Sequence, residues 1–195
     1  MKKKIEKSEQ KYLIRELQFS DFYSLNKMYD SLSEESKLFF HPGFLGFRYI
    51  SFGWFIGQIE LFFSTTNPIR KVLLSIMPFL CFLPLVTINQ KGEIIGFAYL
   101  KIRKGLSSKK FQAELGIGIK DEYQGLGLGS KLMEELITFG LEENVKKIRL
   151  TVLAHNERGI RLYEKYGFKR KRLIKNGEKW NGKAYDQIEM ELSLS

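Results

Sequence analysis

The stretch ELGIGIKDEYQGLGLGS, residues 114–130, runs from an apolar strand pattern through a glycine-rich turn into an amphipathic helix. Leu115, Ile117 and Ile119 alternate with small or polar residues, which is the period of a half-buried strand. From Ser130 onward, apolar residues recur at helical spacing, at Leu132, Met133, Leu136, Ile137 and Leu141. The N–H groups and positive dipole end of that helix would face the turn, so the stretch predicts a phosphate cradle.

Three glycines at alternate positions form the turn: Gly125, Gly127 and Gly129. Without a Cβ, they let successive backbone N–H groups approach an anion closely. The pattern GxxxxGK[ST] of nucleotide-binding loops is absent, because no Lys-Ser/Thr pair follows these glycines. The dinucleotide pattern GxGxxG fails at Ser130. A glycine-rich turn that binds no ligand stays open as an alternative.

The sequence Gln124-x-x-Gly127-x-Gly129 after an apolar strand resembles motif A of the GNAT family of acetyl-CoA-dependent N-acetyltransferases. In that family the turn binds the pyrophosphate of acetyl-CoA. A second string, NERGIRLYEKYGF at residues 156–168, resembles the family's second acetyl-CoA-binding region, N-x-x-A-x-x-L-Y-x-K-x-G-F. Gly159 replaces the usual Ala, which costs helix propensity but should leave room for the cofactor. Two motifs in the family's order favour membership over a ligand-free turn.

The resemblance implies an α/β fold of the α+β kind, with a mixed, mostly antiparallel central sheet flanked by helices. Acetyl-CoA would lie in the cleft of splayed strands. The resemblance is close over residues 85–192, the expected acetyl-CoA-binding core, and weaker over residues 12–42. We expect one N-acetyltransferase domain over residues 1–195, of which residues 1–10 form a basic, disordered lead.

The resemblance also assigns cofactor-binding residues. The main chains of Ile117 and Ile119 would pair with pantetheine, and Asn156 would hydrogen-bond the pantetheine arm and cap the next helix. The expected cofactor set is Ile117, Gly118, Ile119, Gln124, Gly125, Leu126, Gly127, Leu128, Gly129, Ser130, Asn156 and Tyr163.

Amide formation from a thioester needs a base for the amine and an acid for the departing thiolate. Backbone N–H groups on the splayed strand could polarise the thioester oxygen. Tyr163 matches the family tyrosine near the CoA sulfur and is the expected acid, with packing inside a short helix as its alternative. Glu114 is the candidate base, with a surface or substrate-binding carboxylate as its alternative. Tyr166 is expected to pack, and His41 and His155 are expected to be structural.

Periodicity and turn residues predict the elements along the chain. We expect a strand at residues 12–17, a helix capped by Ser20, a second helix capped by Ser33 and stopped at residues 41–43, and strands at 85–89, 93–102, 111–119 and 147–153. A helix should follow at residues 158–166 with Gly167 at its end, then a strand at 167–174, a loop at 176–183 and a last strand at 184–192. Gly116 and Gly118 predict a bulge or the close approach of another backbone.

Residues 44–82 are rich in Phe and other apolar residues. We interpret them as two buried or groove-lining helices on the acceptor side, with a dimer contact, a membrane-surface contact and a true span as alternatives. The uncharged run at residues 72–88 contains Pro78 and Pro84 and is slightly short for a span, so no transmembrane segment is expected.

Composition bounds the remaining classes. The chain has 195 residues, a net charge of +10 and one cysteine, Cys81, which excludes an internal disulfide and fits a reducing, cytoplasmic compartment. The basic start has no apolar segment of a secretory signal. Scattered basic residues suit CoA phosphates better than nucleic acid, and no clustered metal ligands are present.

The expected partners are acetyl-CoA and an amine acceptor, and a homodimer is a further expectation. The leading hypothesis is acetyl transfer from acetyl-CoA to a primary amine of a small molecule or protein. The alternative is a non-catalytic acyl-CoA sensor or partner-binding module on the same fold. The sequence does not identify the acceptor.

Overall fold

The computed structural model describes residues 12–40, 81–103 and 111–194. Within them, seven strands form one sheet in the order β1-β2-β3-β4-β5-β7-β6. The strands are β1 (Leu13–Glu16), β2 (Cys81–Ile88), β3 (Ile94–Arg103), β4 (Phe111–Ile119), β5 (Val145–Leu153), β6 (Lys169–Trp180) and β7 (Lys183–Ser193). The α-helices are α1 (Phe22–Asp30), α2 (Glu34–Phe39), α3 (Leu128–Glu142) and α4 (Glu157–Lys165). All strand pairs are antiparallel except β4 with β5, which confirms the predicted mixed sheet.

Three of the predictions made from the sequence concern residues that the structure does not describe. The lead at residues 1–10, the stop at residues 41–43 with His41, and residues 44–80 of the apolar segment lie outside the described residues. None of the helices in the described ranges is both long and apolar enough to cross a bilayer.

The two faces of the sheet carry different helices, because side chains alternate along each strand. On β3, Ala98 and Leu100 belong to the core that contains Leu132 of α3. The intervening Phe97 belongs to a second core that contains Leu25 of α1. The helices α3 and α4 therefore cover one face and α1 the other.

The strands β4 and β5 part after a short common stretch. Their parallel pairing runs from Phe111 opposite Val145 to Glu114 opposite Arg149 and then ends. β4 stays paired with β3 as far as Ile119, and β5 continues beside β7. A gap therefore opens between β4 and β5 beyond Glu114, at the place where the resemblance implied splayed strands.

The start of α1 corrects one prediction. Its N-cap is Asp21 and not Ser20, and Asp21 makes no side-chain capping bond. Instead its carboxylate accepts hydrogen bonds from the Gln18 N–H (2.7 Å) and from the Arg15 guanidinium (2.6 and 2.8 Å). Ser33 caps α2 as predicted.

Boundaries of other elements also differ, by two residues at the starts of β5 and β6. β2 begins at Cys81 and not at residue 85, so the last two residues of the predicted helical segment are a strand. Pro84 lies inside β2, where its carbonyl accepts a hydrogen bond from the Leu17 N–H (3.0 Å). α3 begins at Leu128, two residues before the predicted start at Ser130.

The predicted loop at residues 176–183 is wrong, because β6 and β7 continue to a tight turn at Asn181 and Gly182. Both turn residues have positive φ, 48° and 76°. Asn176, with φ 52°, lies instead at an irregularity in the β6–β7 pairing. The first Asn-Gly pair therefore marks a bulge and the second a hairpin turn.

Candidate active site

A cleft of about 300 Å³ lies beside the gap between β4 and β5. Its walls come from α2, the end of β4, the glycine turn, the start of α3, and α4. Of the predicted cofactor set, all residues line this cleft except Leu126 and Leu128. Leu126 is exposed, whereas the Leu128 side chain is buried in the core. The structure therefore brings the two sequence motifs, far apart in the chain, to one cavity.

Two of the three turn glycines are required by backbone conformation. Gly125 and Gly127 have φ of 81° and 82°, and a Cβ at either would meet nothing within 4 Å. Glycine adopts this left-handed conformation without strain. Gly129 differs, because a Cβ there would lie 3.1 Å from Cδ2 of Leu162 on α4. Gly129 thus permits close packing of the two helices.

The first turn of α3 leaves backbone donors at the cleft. Gly127 is the N-cap and makes no side-chain capping bond, and the Lys131 N–H donates to the Gly127 carbonyl (3.2 Å). The N–H groups of Leu128, Gly129 and Ser130 precede it and have no carbonyl partner within a helix. With the positive end of the helix dipole, these donors fit a diphosphate.

Gln124 braces the turn through both ends of its side-chain amide. Its Nε2 donates to the Ile119 carbonyl (3.0 Å) and to Ser36 Oγ (3.2 Å). Its Oε1 accepts a hydrogen bond from Arg158 (2.6 Å). The predicted cofactor residue therefore ties the turn to both α2 and α4.

Asp121 is a site residue that the sequence analysis missed. Its carboxylate accepts hydrogen bonds from the Ser33 N–H (2.9 Å), from Ser33 Oγ (3.1 Å) and from Ser36 Oγ. Burial alone would raise the pKa of Asp121, but these hydrogen bonds outweigh it and lower the pKa below its ordinary value. The partners lie 85 and 88 residues away, so no local motif marks this clasp between α2 and the turn.

The edge of β4 offers backbone groups to the gap. The Lys120 N–H donates to the Ile95 carbonyl at the β3 side (2.9 Å). Because the bonding direction alternates along an antiparallel strand, the backbone groups of Ile117 and Ile119 point to the opposite side. The Ile119 carbonyl there accepts from Gln124. The Ile117 groups face the gap, since pairing with β5 has ended, and they fit an extended chain that adds like a strand.

Asn156 caps α4, as predicted, by accepting a hydrogen bond from the Gly159 N–H (2.9 Å). A Cβ at Gly159 would lie 2.8 Å from Nδ2 of Asn156. The glycine in place of the family's Ala therefore lets the asparagine side chain fold closely against the helix.

Tyr163 and Glu114 flank the gap from opposite faces of the sheet. Tyr163 belongs to the core beneath α3 and lines the cleft, and burial raises its pKa to about 12. Its hydroxyl therefore keeps a proton at neutral pH. Glu114 does not line the cleft, and it alternates with Ala113 and Leu115, which belong to the core that contains Tyr163.

His155 packs between two aromatic rings, with centroids 5.4 Å from Phe39 and 5.6 Å from Tyr185. That packing fits the structural role expected of it. Within the described ranges, no three His, Cys, Asp or Glu side chains cluster to hold a metal ion.

Comparison with known proteins gives one family. Residues 58–168, more than half of the chain, match the model of the acetyltransferase (GNAT) family. The mycothiol acetyltransferase of Paenarthrobacter aurescens is 33% identical over 87 residues, which cover 44% of this chain and 27% of that protein. The chain spans less than two thirds of the length of the curated relatives that it matches first.

Solved structures share the fold. An acetyltransferase of the GNAT family from Streptococcus pneumoniae has a TM-score of 0.70 at 22% identity, over 94% of this chain and 100% of that one. The yncA protein of Salmonella typhimurium, solved with its cofactor acetyl-CoA, has a TM-score of 0.65 at 18% identity, over 94% of both chains.

Proposed function

This chain belongs to the GNAT acetyltransferase family, and from that premise we propose that it transfers the acetyl group of acetyl-CoA to a primary amine of a small molecule or protein. The observation that carries the proposal is the cleft at the parted strands, which has open helix donors at the turn and Tyr163 on α4. A CoA thioester needs an anion site and a path for its arm to the reacting carbon, and the cleft supplies both.

The proposed binding mode of acetyl-CoA follows from the positions of the backbone N–H donors around the cleft. The diphosphate of acetyl-CoA takes the N–H groups of Leu128 to Ser130, and the pantetheine arm runs along Ile117 with Asn156 beside it. The family membership and the acetyl-CoA in the Salmonella structure support this mode. The acetyl group then enters the gap beyond Glu114.

The proposed reaction is direct attack. The amine nitrogen forms a bond to the acetyl carbon and loses a proton toward Glu114, the carbon–sulfur bond breaks, and the sulfur leaves with the electron pair. Tyr163 donates the proton that the sulfur takes up. A backbone N–H of β4 stabilises the charge on the carbonyl oxygen.

The single cysteine fits a reducing compartment, which supports a cytoplasmic location.

The test measures thiol release from acetyl-CoA over a panel of primary amines, for the unmodified chain, Tyr163→Phe and Tyr166→Phe. Tyr166 is the matched control, because it does not line the cleft and its hydroxyl proton is directed to Glu134 (2.6 Å) or the Ser130 carbonyl (3.1 Å). We expect acceptor-dependent release that falls about 100-fold in Tyr163→Phe and little in Tyr166→Phe.

Equilibrium binding of acetyl-CoA completes the design. If all three proteins bind acetyl-CoA and no amine gives release, the transferase proposal fails and a non-catalytic acyl-CoA sensor takes its place. Equal losses in the two tyrosine variants would remove Tyr163 from the proposed acid role.

A further inference from the structure

Tyr99 of β3 lies directly over the main chain of β4 at the point where the gap opens. It is the register partner of Gly116, two residues beyond Glu114, the last residue of β4 that pairs with β5. A Cβ at Gly116 would lie 2.5 Å from Cε1 of Tyr99 and 3.0 Å from its hydroxyl oxygen. The ring therefore occupies the space that any other residue at position 116 would fill.

Glu114 lies on the same face as Tyr99 but further from the gap. Its register partners are Lys101 on β3 and Arg149 on β5, and it does not line the cleft. Directly opposite residues on one face are neighbours, although the Arg149 guanidinium is paired with Glu191 (2.9 Å).

Tyr99 does not line the cleft either, but its register partner Gly116 adjoins Ile117, which does, so Tyr99 lies nearer the gap than Glu114. Its hydroxyl has surroundings that favour the protonated form. Burial has the largest effect and raises the pKa of Tyr99, and the negative charge of Glu114, and of Tyr163 when it ionises, raises that pKa further. Tyr99 and Glu114 are diagonal neighbours on one face of the β3–β4 pair, whereas Tyr163 belongs to the core on the opposite face. The phenol keeps its proton at neutral pH and can donate and accept at once.

We infer that Tyr99 is the residue that carries the proton of the attacking amine to Glu114. This inference rests on the proposed acetyl transfer and adds a member to its site. As the nitrogen bonds to the acetyl carbon, it gives its proton to the Tyr99 oxygen, and Tyr99 gives its own proton to the Glu114 carboxylate. The sulfur leaves with the electron pair of the broken carbon–sulfur bond and takes the proton of Tyr163. Solvent then removes the proton from Glu114 and restores that of Tyr163.

The test compares Tyr99→Phe, Glu114→Gln and the double variant, with Tyr23→Phe as control. Tyr23 is 79% exposed on α1 and far in sequence from these elements. Phe keeps the ring over Gly116, so the variant should still unfold cooperatively in a thermal scan and bind acetyl-CoA with the affinity of the unmodified chain, whatever stability the lost hydroxyl contributes. We expect kcat to fall about 100-fold in Tyr99→Phe and in Glu114→Gln, and the double variant to be no slower than the slower single variant.

The pH dependence of kcat/KM separates a proton carrier from a packing residue. The limb that rises with pH, which reports the base, should vanish in Tyr99→Phe as it does in Glu114→Gln. Unchanged kcat in Tyr99→Phe, a retained limb, or losses that multiply in the double variant would each overturn the inference. Absence of acetyl transfer in the unmodified chain itself is a separate result, which rejects the proposed function and this inference with it.

Discussion

The glycines of β4, Gly116 and Gly118, and those of the turn, Gly125 and Gly127, are required for different reasons. In β4, a Cβ at Gly116 or Gly118 would lie 2.5 to 2.6 Å from the ring atoms of Tyr99 or Phe40. In the turn, a Cβ at Gly125 or Gly127 would meet nothing within 4 Å, but both residues have φ near 80°. Glycine is therefore needed in the strand because a Cβ has no room there, and in the turn because the backbone is left-handed.

The difference teaches what each region contributes to the site. The strand glycines leave room for two aromatic rings over β4, and one of them, Phe40, lines the cleft. The turn glycines direct backbone donors at the place proposed for the diphosphate. Substitution should therefore reduce stability more in the strand and ligand affinity more in the turn.

The largest expected effect is in the strand. Gly118→Ala forces Cβ against Cδ1 and Cγ of Phe40, each 2.6 Å away, and overpacking of this kind costs about 2 kcal/mol of unfolding free energy. Urea denaturation measures it. Combining Gly118→Ala with Phe40→Ala should give a smaller loss than the sum of the two single losses. Simple additivity would show that the contact with Phe40 is not the cause.

The turn should show a smaller loss of stability together with weaker binding. Gly127→Ala puts a Cβ on a left-handed residue, which costs about 1 kcal/mol. Gly92→Ala is the matched control, because Gly92 has φ 77° and open space in the β2–β3 turn. Both variants should lose similar unfolding free energy, and Gly127→Ala alone should weaken acetyl-CoA binding, about tenfold, in a calorimetric titration. Equal binding in the two variants would contradict a phosphate role for the turn.

Asp121→Asn tests whether the turn is held in place by α2. Asn keeps the shape but loses the charge that the Ser33 and Ser36 hydrogen bonds stabilise, so we expect a loss of about 1 kcal/mol at neutral pH, where partial exposure limits the effect. The control Glu122→Gln removes an adjacent, exposed carboxylate and should change stability little.

The pH dependence of this loss has a defined sign. The folded-state pKa of Asp121 is lowered, so its stabilisation is complete above the ordinary aspartate pKa of about 4 and is lost as the pH falls through the folded-state value. The difference between Asp121→Asn and the unmodified chain should therefore shrink in acid. A difference in unfolding free energy that stays constant with pH would show that the charge of Asp121 is not its cause.

Gly129→Ala should change the unfolding free energy least, because Gly129 has neither the very short contacts of the strand glycines nor the positive φ of Gly125 and Gly127. The added Cβ would lie 3.1 Å from Leu162 Cδ2, the end of a flexible side chain, while Ala favours the helix over Gly by about 1 kcal/mol. We expect a net change within about 0.5 kcal/mol in thermal unfolding. A loss as large as that of Gly118→Ala would mean that α3 and α4 cannot separate by even a few tenths of an ångström.

The sequence predicted most elements where the signal was local. β4 has the predicted bounds of residues 111–119, and Asn156 and Gly167 cap and end α4 within one residue of the prediction. Predictions failed where the same dipeptide occurs in two different structures. Asn176-Gly177 and Asn181-Gly182 are the same dipeptide, yet only the second is a hairpin turn, because the register with β7 decides which one bends the chain.

The sequence by itself determined the order of elements and the strand, glycine turn and helix of residues 114–130, because strand alternation, helix periodicity and caps depend on residues a few positions apart. Only the tertiary structure decided that Asp121 reaches Ser33, that Tyr99 covers Gly116, and that pairing of β4 with β5 stops at Glu114. Each of these depends on the register and packing of segments that are distant in the chain. Those relations are set by the whole core and leave no pattern in any one segment.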